Sequence, residues 1–172
     1  MLNVLGAVLI LFASTMFGFR QSLQLSRRPK QIRELIQALQ RLETEIVYGF
    51  TPLSDALQSA GRPFSPAIAA LFQEAAGRLE SDQGRTAEEC WARAVETVWA
   101  DTSMKTGERE VLERLGCSLG ISDRDDQQKH IRLAVTHLQA EEQKASTAQQ
   151  KYAGMWKSLG LLAGALIVII MV

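Results

Sequence analysis

His130 and His137 stand one heptad apart, a spacing that could put two imidazoles on the same side of a helix. At about 1.5 Å per residue they are about 10 Å apart along it, too far to share one metal ion with ligands at about 2 Å. They read as surface or core-edge histidines. Cys90 and Cys117 are the only cysteines. They are too few and too far apart for a disulfide framework or a paired zinc site, and their usage fits a reducing compartment. Both lie in or beside apolar helical stripes. Cys90 adjoins Trp91 and, with no positioned base, reads as a buried, unreactive thiol. Asp123, Asp125 and Asp126 lack the glycine turn and distal glutamate of a calcium loop. They follow Ser122, which reads as an N-cap, and carboxylates there oppose the positive end of a helix macrodipole. No glycine-rich phosphate loop occurs, and no nucleophile, base and oxyanion set can be assembled. The expectation is a protein that is not an enzyme and uses no metal, cofactor or small-molecule substrate. Energy from ATP would have to come from a partner.

The elements that carry these residues are set by where charge is absent. The 172 residues hold 19 bases and 19 acids, and all of them fall between Arg20 and Lys157. That balance offers no general attraction to nucleic acid, which is excluded as a partner. Residues 1–19 form an uncharged run of about the length that crosses a hydrocarbon core. Residues 158–172 form a second, shorter one, for which Lys157 would snorkel toward water with Tyr152 and Trp156 at headgroup level. Arg20, Arg27, Arg28 and Lys30 follow the first run, and Lys144, Lys151 and Lys157 precede the second. By the positive-inside rule both place the middle in the cytoplasm, tethered to membrane lipid at both ends. The expected interface anchors are Arg20, Arg27, Arg28, Tyr152, Trp156 and Lys157. Ser14 with Gly18, and Gly160 with Gly164, have the small-xxx-small spacing through which two spans pack.

Between the spans every periodic segment is helical. Pro29 suits a first helical position, and Ile32, Leu35, Ile36, Leu39, Leu42 and Ile46 mark one face until Gly49. Thr51 and Pro52 read as N-cap and N1 of a helix ending at Gly61, and Ser65 and Pro66 repeat the signal before Ile68, Leu71, Phe72, Ala75 and Leu79. Residues 81–85 read as a loop. Thr86 and Glu89 form a capping box ahead of Trp91, Ala94, Val95, Val98 and Trp99. Val111, Leu112, Leu115 and Leu119 mark a further helix stopping at Gly120. From Ser122 no proline interrupts the chain, and Ile131, Ala134, Leu138, Ala145, Ala148 and Tyr152 recur near heptad spacing. No segment alternates with a strand period. The predicted fold is all-α: an antiparallel six-helix bundle over residues 20–157 with transmembrane helices at both termini, the last helix long and continuous into the membrane.

Arg28-Pro29, Gln31-Ile32-Arg33, Ala38-Leu39, Leu42-Glu43, Glu45-Ile46, Tyr48-Gly49 and Thr51-Pro52-Leu53 resemble the signature of the stage III sporulation protein AB family. Ser122-Asp123, Gln128-Lys129-His130-Ile131, Lys151-Tyr152 and Met155 to Gly160 agree in matching order. The family is in turn similar to the cytoplasmic helical domain of the F-type platform proteins of type II secretion and type IV pili, which have two such domains where this chain has one. The resemblance implies a bundle in the outer forespore membrane, facing the mother-cell cytoplasm, within a channel complex required for endospore development. The other stage III sporulation A complex proteins, a secretion-type ATPase among them, are the implied partners.

The residues best placed to meet such a partner are Arg33, Glu34, Arg41, Glu43 and Glu45, beside the corner Tyr48-Gly49-Phe50, where mixed charge and aromatic surface meet at a helix end. The alternative for that corner is that Tyr48 and Phe50 fold into the core. The function expected is a non-enzymatic, membrane-anchored platform or adaptor. A rival reading, a pore-forming or membrane-remodelling protein acting directly on lipid, is disfavoured because neither span has charged pore-lining residues.

Overall fold

The computed structural model describes residues 16, 26–49, 51–81, 84–120 and 123–171, with side chains described through residue 151. Among them every regular element is helical and none is a strand. Helix α1 covers residues 26–44 and runs into a π-helical turn, Glu45–Gly49. α2 is Leu53–Gly61, α3 Pro66–Ser81, α4 Ala87–Val98 with a 3-10 turn Trp99–Asp101, α5 Thr106–Gly116 and α6 Arg124–Met171. The chain divides into two compact units, one formed by Lys30–Gln143, the other by Met1–Pro29 with Lys144–Val172.

In the first unit the apolar stripes read from sequence are the buried ones. α1 buries Ile32, Leu35, Leu39 and Leu42 completely, α3 buries Ile68, Leu71 and Phe72, and α6 buries Ile131 and Leu138. Each such side chain contributes about 1.5–3 kcal/mol on leaving water. Successive helices pack as α2 on α3, α3 on α4 and α4 on α5. Phe72 and Trp91 meet edge to face with ring centroids 5.8 Å apart. The Trp91 indole N–H donates to the Leu112 carbonyl at 2.8 Å, so the largest core side chain leaves no donor unpaired. Two glycines let the backbones close around this pair. A Cβ on Gly61 would stand 2.4 Å from Phe72 Cβ, and one on Gly116 would stand 2.6 Å from Trp91 Cδ1. Glycine at these positions is a packing requirement more than a stop signal.

Several helix ends shift from their expected places. Residues 26–28 are already helical, so Pro29 is not the first helical residue, and its missing N–H costs α1 a single donor. The expected stop at Gly49 is reached through a π turn. Pro52, not Thr51, occupies the N-cap of α2, and no side chain caps it. Thr86 does cap α4, its hydroxyl accepting from the Glu89 N–H at 3.2 Å. α5 ends at Gly116, and Ser118 and Leu119 continue in tight turns that donate back to Leu115 and Gly116. Gly120 closes this tail with φ 84°, in the left-handed region where glycine carries no Cβ penalty. At α6 the cap is Asp123, whose Oδ1 accepts from the Asp126 N–H at 2.8 Å. Ser122 lies outside the described residues.

In the second unit Gln149 Nε2 donates to Ser26 Oγ at 3.0 Å, joining residues far apart in sequence. α6 is one helix of 48 residues, as its uninterrupted sequence predicts. Among the residues whose side chains are described, no helix is long and apolar enough to cross a membrane. The first expected span falls outside the described residues, and the second lies on α6, where side chains are not described beyond residue 151. Residues 1–19, with Ser14 and Gly18, lie outside the described residues apart from Met16, and of Gly160 and Gly164 only the helical backbone is described.

Candidate docking face on helix α1

The residues singled out on α1 share a helix but not a role. Arg33 Nε donates to Glu142 Oε1 on α6 at 2.7 Å. Glu34 turns to α3. Its Oε2 accepts from the Ser65 N–H at 3.3 Å and from the Ser65 hydroxyl, and Lys30 stands 3.9 Å from its other oxygen. A carboxylate at that helix start meets unpaired N–H groups and the positive end of the dipole. Ser65, expected as an N-cap, spends its hydroxyl on this tertiary contact.

Glu43 is the most committed of the set. Its Oε1 accepts from Arg132 Nε at 2.6 Å and Gln128 Nε2 at 2.9 Å, both on α6, and its side chain is 17% exposed. Gln128 and Arg132 are four residues apart, so one face of α6 presents both donors to one acid. Glu45, in the π turn, accepts from the Ser59 hydroxyl of α2 at 3.2 Å. Arg33, Glu34, Glu43 and Glu45 are thus joints between helices. Charge-assisted hydrogen bonds of this kind contribute about 1.5–3 kcal/mol where they are partly shielded from water.

Arg41 and Tyr48 remain on the outside. Arg41 is exposed and lies between two clefts. One is lined with Asp55, Gln58, Ser59, Arg62, Pro63 and Gln73, the other with Gln37, Gln40, Thr44, Pro63 and Phe64. Tyr48 is 76% exposed, against the alternative that it folds into the core. Phe50 lies outside the described residues. The surface around Arg41 offers guanidinium, amide and phenol groups, which recognise a polypeptide surface by hydrogen bonding and stacking.

Other residues of potential chemistry are dispersed. His130 is exposed with Nε2 3.5 Å from Asp126 Oδ2, one helical turn away, and His137 is exposed further along. Among the described residues no group of three or more metal-ligating side chains converges. Cys90 is buried as expected, whereas Cys117, just past the end of α5, is exposed. The Cys117 thiol is held above its ordinary pKa, first by its hydrogen bond to Glu88, then by desolvation and by the Glu88 charge. That suppresses the thiolate at neutral pH.

Sequence reasoning missed Ser59, Ser65, Gln128, Arg132 and Glu142 as partners of the α1 charges. The i,i+4 pair Gln128 and Arg132 was a visible signal of a polar face, but nothing in it named Glu43.

Of the anchors, Arg27 is exposed and Arg28 half-buried. Arg20 and the side chains of Tyr152, Trp156 and Lys157 lie outside the described residues.

With this geometry in hand, comparisons with known proteins agree with one another. The family model for stage III sporulation protein AB matches residues 3–172. The stage III sporulation protein AB of Bacillus subtilis (strain 168) is 45% identical over 173 residues, covering 99% of this chain and 99% of that one. A solved structure of a stage III sporulation protein AB (SpoIIIAB) matches with a TM-score of 0.68 at 43% identity, over 73% of this chain and 98% of that chain.

Proposed function

The chain belongs to the stage III sporulation protein AB family and so has a role in sporulation, and from that premise we propose that it is a non-enzymatic platform, anchored in membrane, that docks a secretion-type ATPase or another member of a channel complex. In this reading the helices close as an antiparallel bundle over residues 20–157, and residues 1–19 and 158–172 enter the bilayer. The unbroken helical course of α6 through Met171 supports the reading that the last helix continues into the second apolar stretch.

The observation that carries the docking role is Tyr48, 76% exposed beside a helix whose acids are already engaged. Tyrosine and arginine are both enriched among interface hot spots, and Arg41, seven residues earlier in the chain, is exposed as well.

Photoreactive residues scanned along residues 33–57 in sporulating cells test this. Positions 41 and 48 should crosslink to the ATPase or another complex member, while the buried positions 35, 39 and 42 should not. Crosslinks at none of these positions would end the proposal for this face. Reporters fused near Asp82 and at Val172 should fall in different compartments, and the same compartment for both would remove the anchoring. Dye release from liposomes holding this protein alone would move the reading to a lipid-acting protein.

A further inference from the structure

We propose that the unit formed by Met1–Pro29 and Lys144–Val172 binds the headgroups of anionic phospholipids through a collar that includes Arg27, Arg28 and Lys151. The inference rests on the membrane-anchored reading above and deepens it by naming the lipid class.

The neutral net charge of the chain conceals an uneven distribution of its acids. All 19 acids lie between Glu34 and Glu142, within the unit Lys30–Gln143. The other unit contains Arg20, Arg27, Arg28, Lys144, Lys151 and Lys157 and no acid, a formal charge of +6, leaving −6 on its counterpart. A solvated helical surface ordinarily mixes signs, as α1, α3 and α5 do with Lys30 and Glu34, Arg78 and Glu74, and Arg109 and Glu113. Exclusion of one sign from both chain segments that border apolar sequence points to an oppositely charged neighbour.

The fold brings the two basic segments together. The Gln149 to Ser26 hydrogen bond of 3.0 Å sets Arg27 and Arg28, next in sequence to Ser26, beside the turn of α6 that leads to Lys151. Arg27 and Lys151 are exposed. Lys151 precedes Ser158, where the apolar stretch begins, by about 10 Å of helix. That falls within the headgroup layer plus a Debye length of about 8–10 Å, and the long arginine and lysine stems extend the reach. Lys144, a further heptad back at about 20 Å, stands beyond it. An acidic protein could meet the same charges, but only a bilayer holds its anions at the level where both segments meet the apolar stretches. Each base at that level favours an anionic surface about five-fold.

The test uses the full chain reconstituted in phosphatidylcholine vesicles that contain a minor fraction of pyrene-labelled lipid, either phosphatidylglycerol or phosphatidylcholine. Alkaline-resistant flotation with both lipids reads anchoring, and energy transfer from tryptophan to pyrene reads the lipid shell. Transfer to labelled phosphatidylglycerol should exceed transfer to labelled phosphatidylcholine by about two-fold or more at low salt, and the excess should vanish in high salt. The double variant Arg27→Gln with Lys151→Gln should lose most of the excess, while Lys144→Gln keeps it. Equal transfer to both lipids in floating, folded wild-type protein overturns the collar and leaves anchoring intact. Failure to float with either lipid overturns both. Should the double variant not fold, the salt dependence of the wild-type excess decides alone.

Discussion

Arg41 and Glu43 are two residues apart on α1, and their charges meet opposite fates. Glu43 is clasped by Arg132 and Gln128, which lie 89 and 85 positions further along the chain. Arg41 opens onto two clefts. A helix is a cylinder, so the side opposite its apolar stripe is not uniformly solvated. Its flanks border neighbouring helices and its crest does not. Acids on the flanks, Glu34, Glu43 and Glu45, have become ties to α3, α6 and the α2 serine. What is left on the crest is free to act on something outside the molecule, and Tyr48 stands there.

The largest effect belongs to the seams between helices. Gly61→Ala would force a methyl to within 2.4 Å of Phe72 Cβ, and neither the α2 backbone nor the ring can retreat without opening the contact with Trp91. The expected cost is about 3 kcal/mol, read as a lowered midpoint in urea or thermal unfolding. Glu43→Lys comes next. It sets a second cation against Arg132 and leaves Gln128 without its acceptor, in a site only 17% exposed on the glutamate side. A loss of about 2 kcal/mol is expected, less than for a buried pair because Arg132 itself reaches water. Unchanged stability in this variant would dissolve the distinction between flank and crest. Gly77→Ala lies on the open side of α3, where an added Cβ meets nothing within 4 Å. It should stabilise the protein by about 0.5–1 kcal/mol through helix propensity and a less free unfolded chain.

These differences mark where the sequence could be read and where it could not. The apolar stripes of α1, α3 and α6 follow from a period of 3.6, and Ile32, Leu35, Leu39, Leu71, Ile131 and Leu138 are buried as that period requires. Starts and stops slid by one to four residues because capping is decided by geometry that several neighbouring residues can satisfy. Asp123 caps α6 where Ser122 was expected, and α5 closes at Gly116 with Gly120 left to end the turn. The charged face was legible only as a face. Which of its members serve the fold depends on contacts from Ser59, Ser65, Arg132 and Glu142, and pairings so distant along the chain leave no periodic trace. Reversal at Glu43 and Glu45, the test that the sequence alone suggests for docking, would therefore disturb the helix joints as well.

The discriminating variant is Arg41→Glu combined with Tyr48→Ala. Both side chains are exposed, so the double variant should unfold within about 0.5 kcal/mol of the wild type and keep its helical circular dichroism. Its capture of the secretion-type ATPase, or of another complex member, should fall about ten-fold or more, the loss expected when an aromatic and an arginine anchor are removed together. The contrast with Glu43→Lys is the point of the experiment. That variant loses capture only in proportion to its loss of folded protein, whereas the crest variant loses capture while still fully folded. Capture that survives in Arg41→Glu with Tyr48→Ala would show that the crest of α1 is a solvated surface like any other, and the search for the docking residues would pass to a different helix.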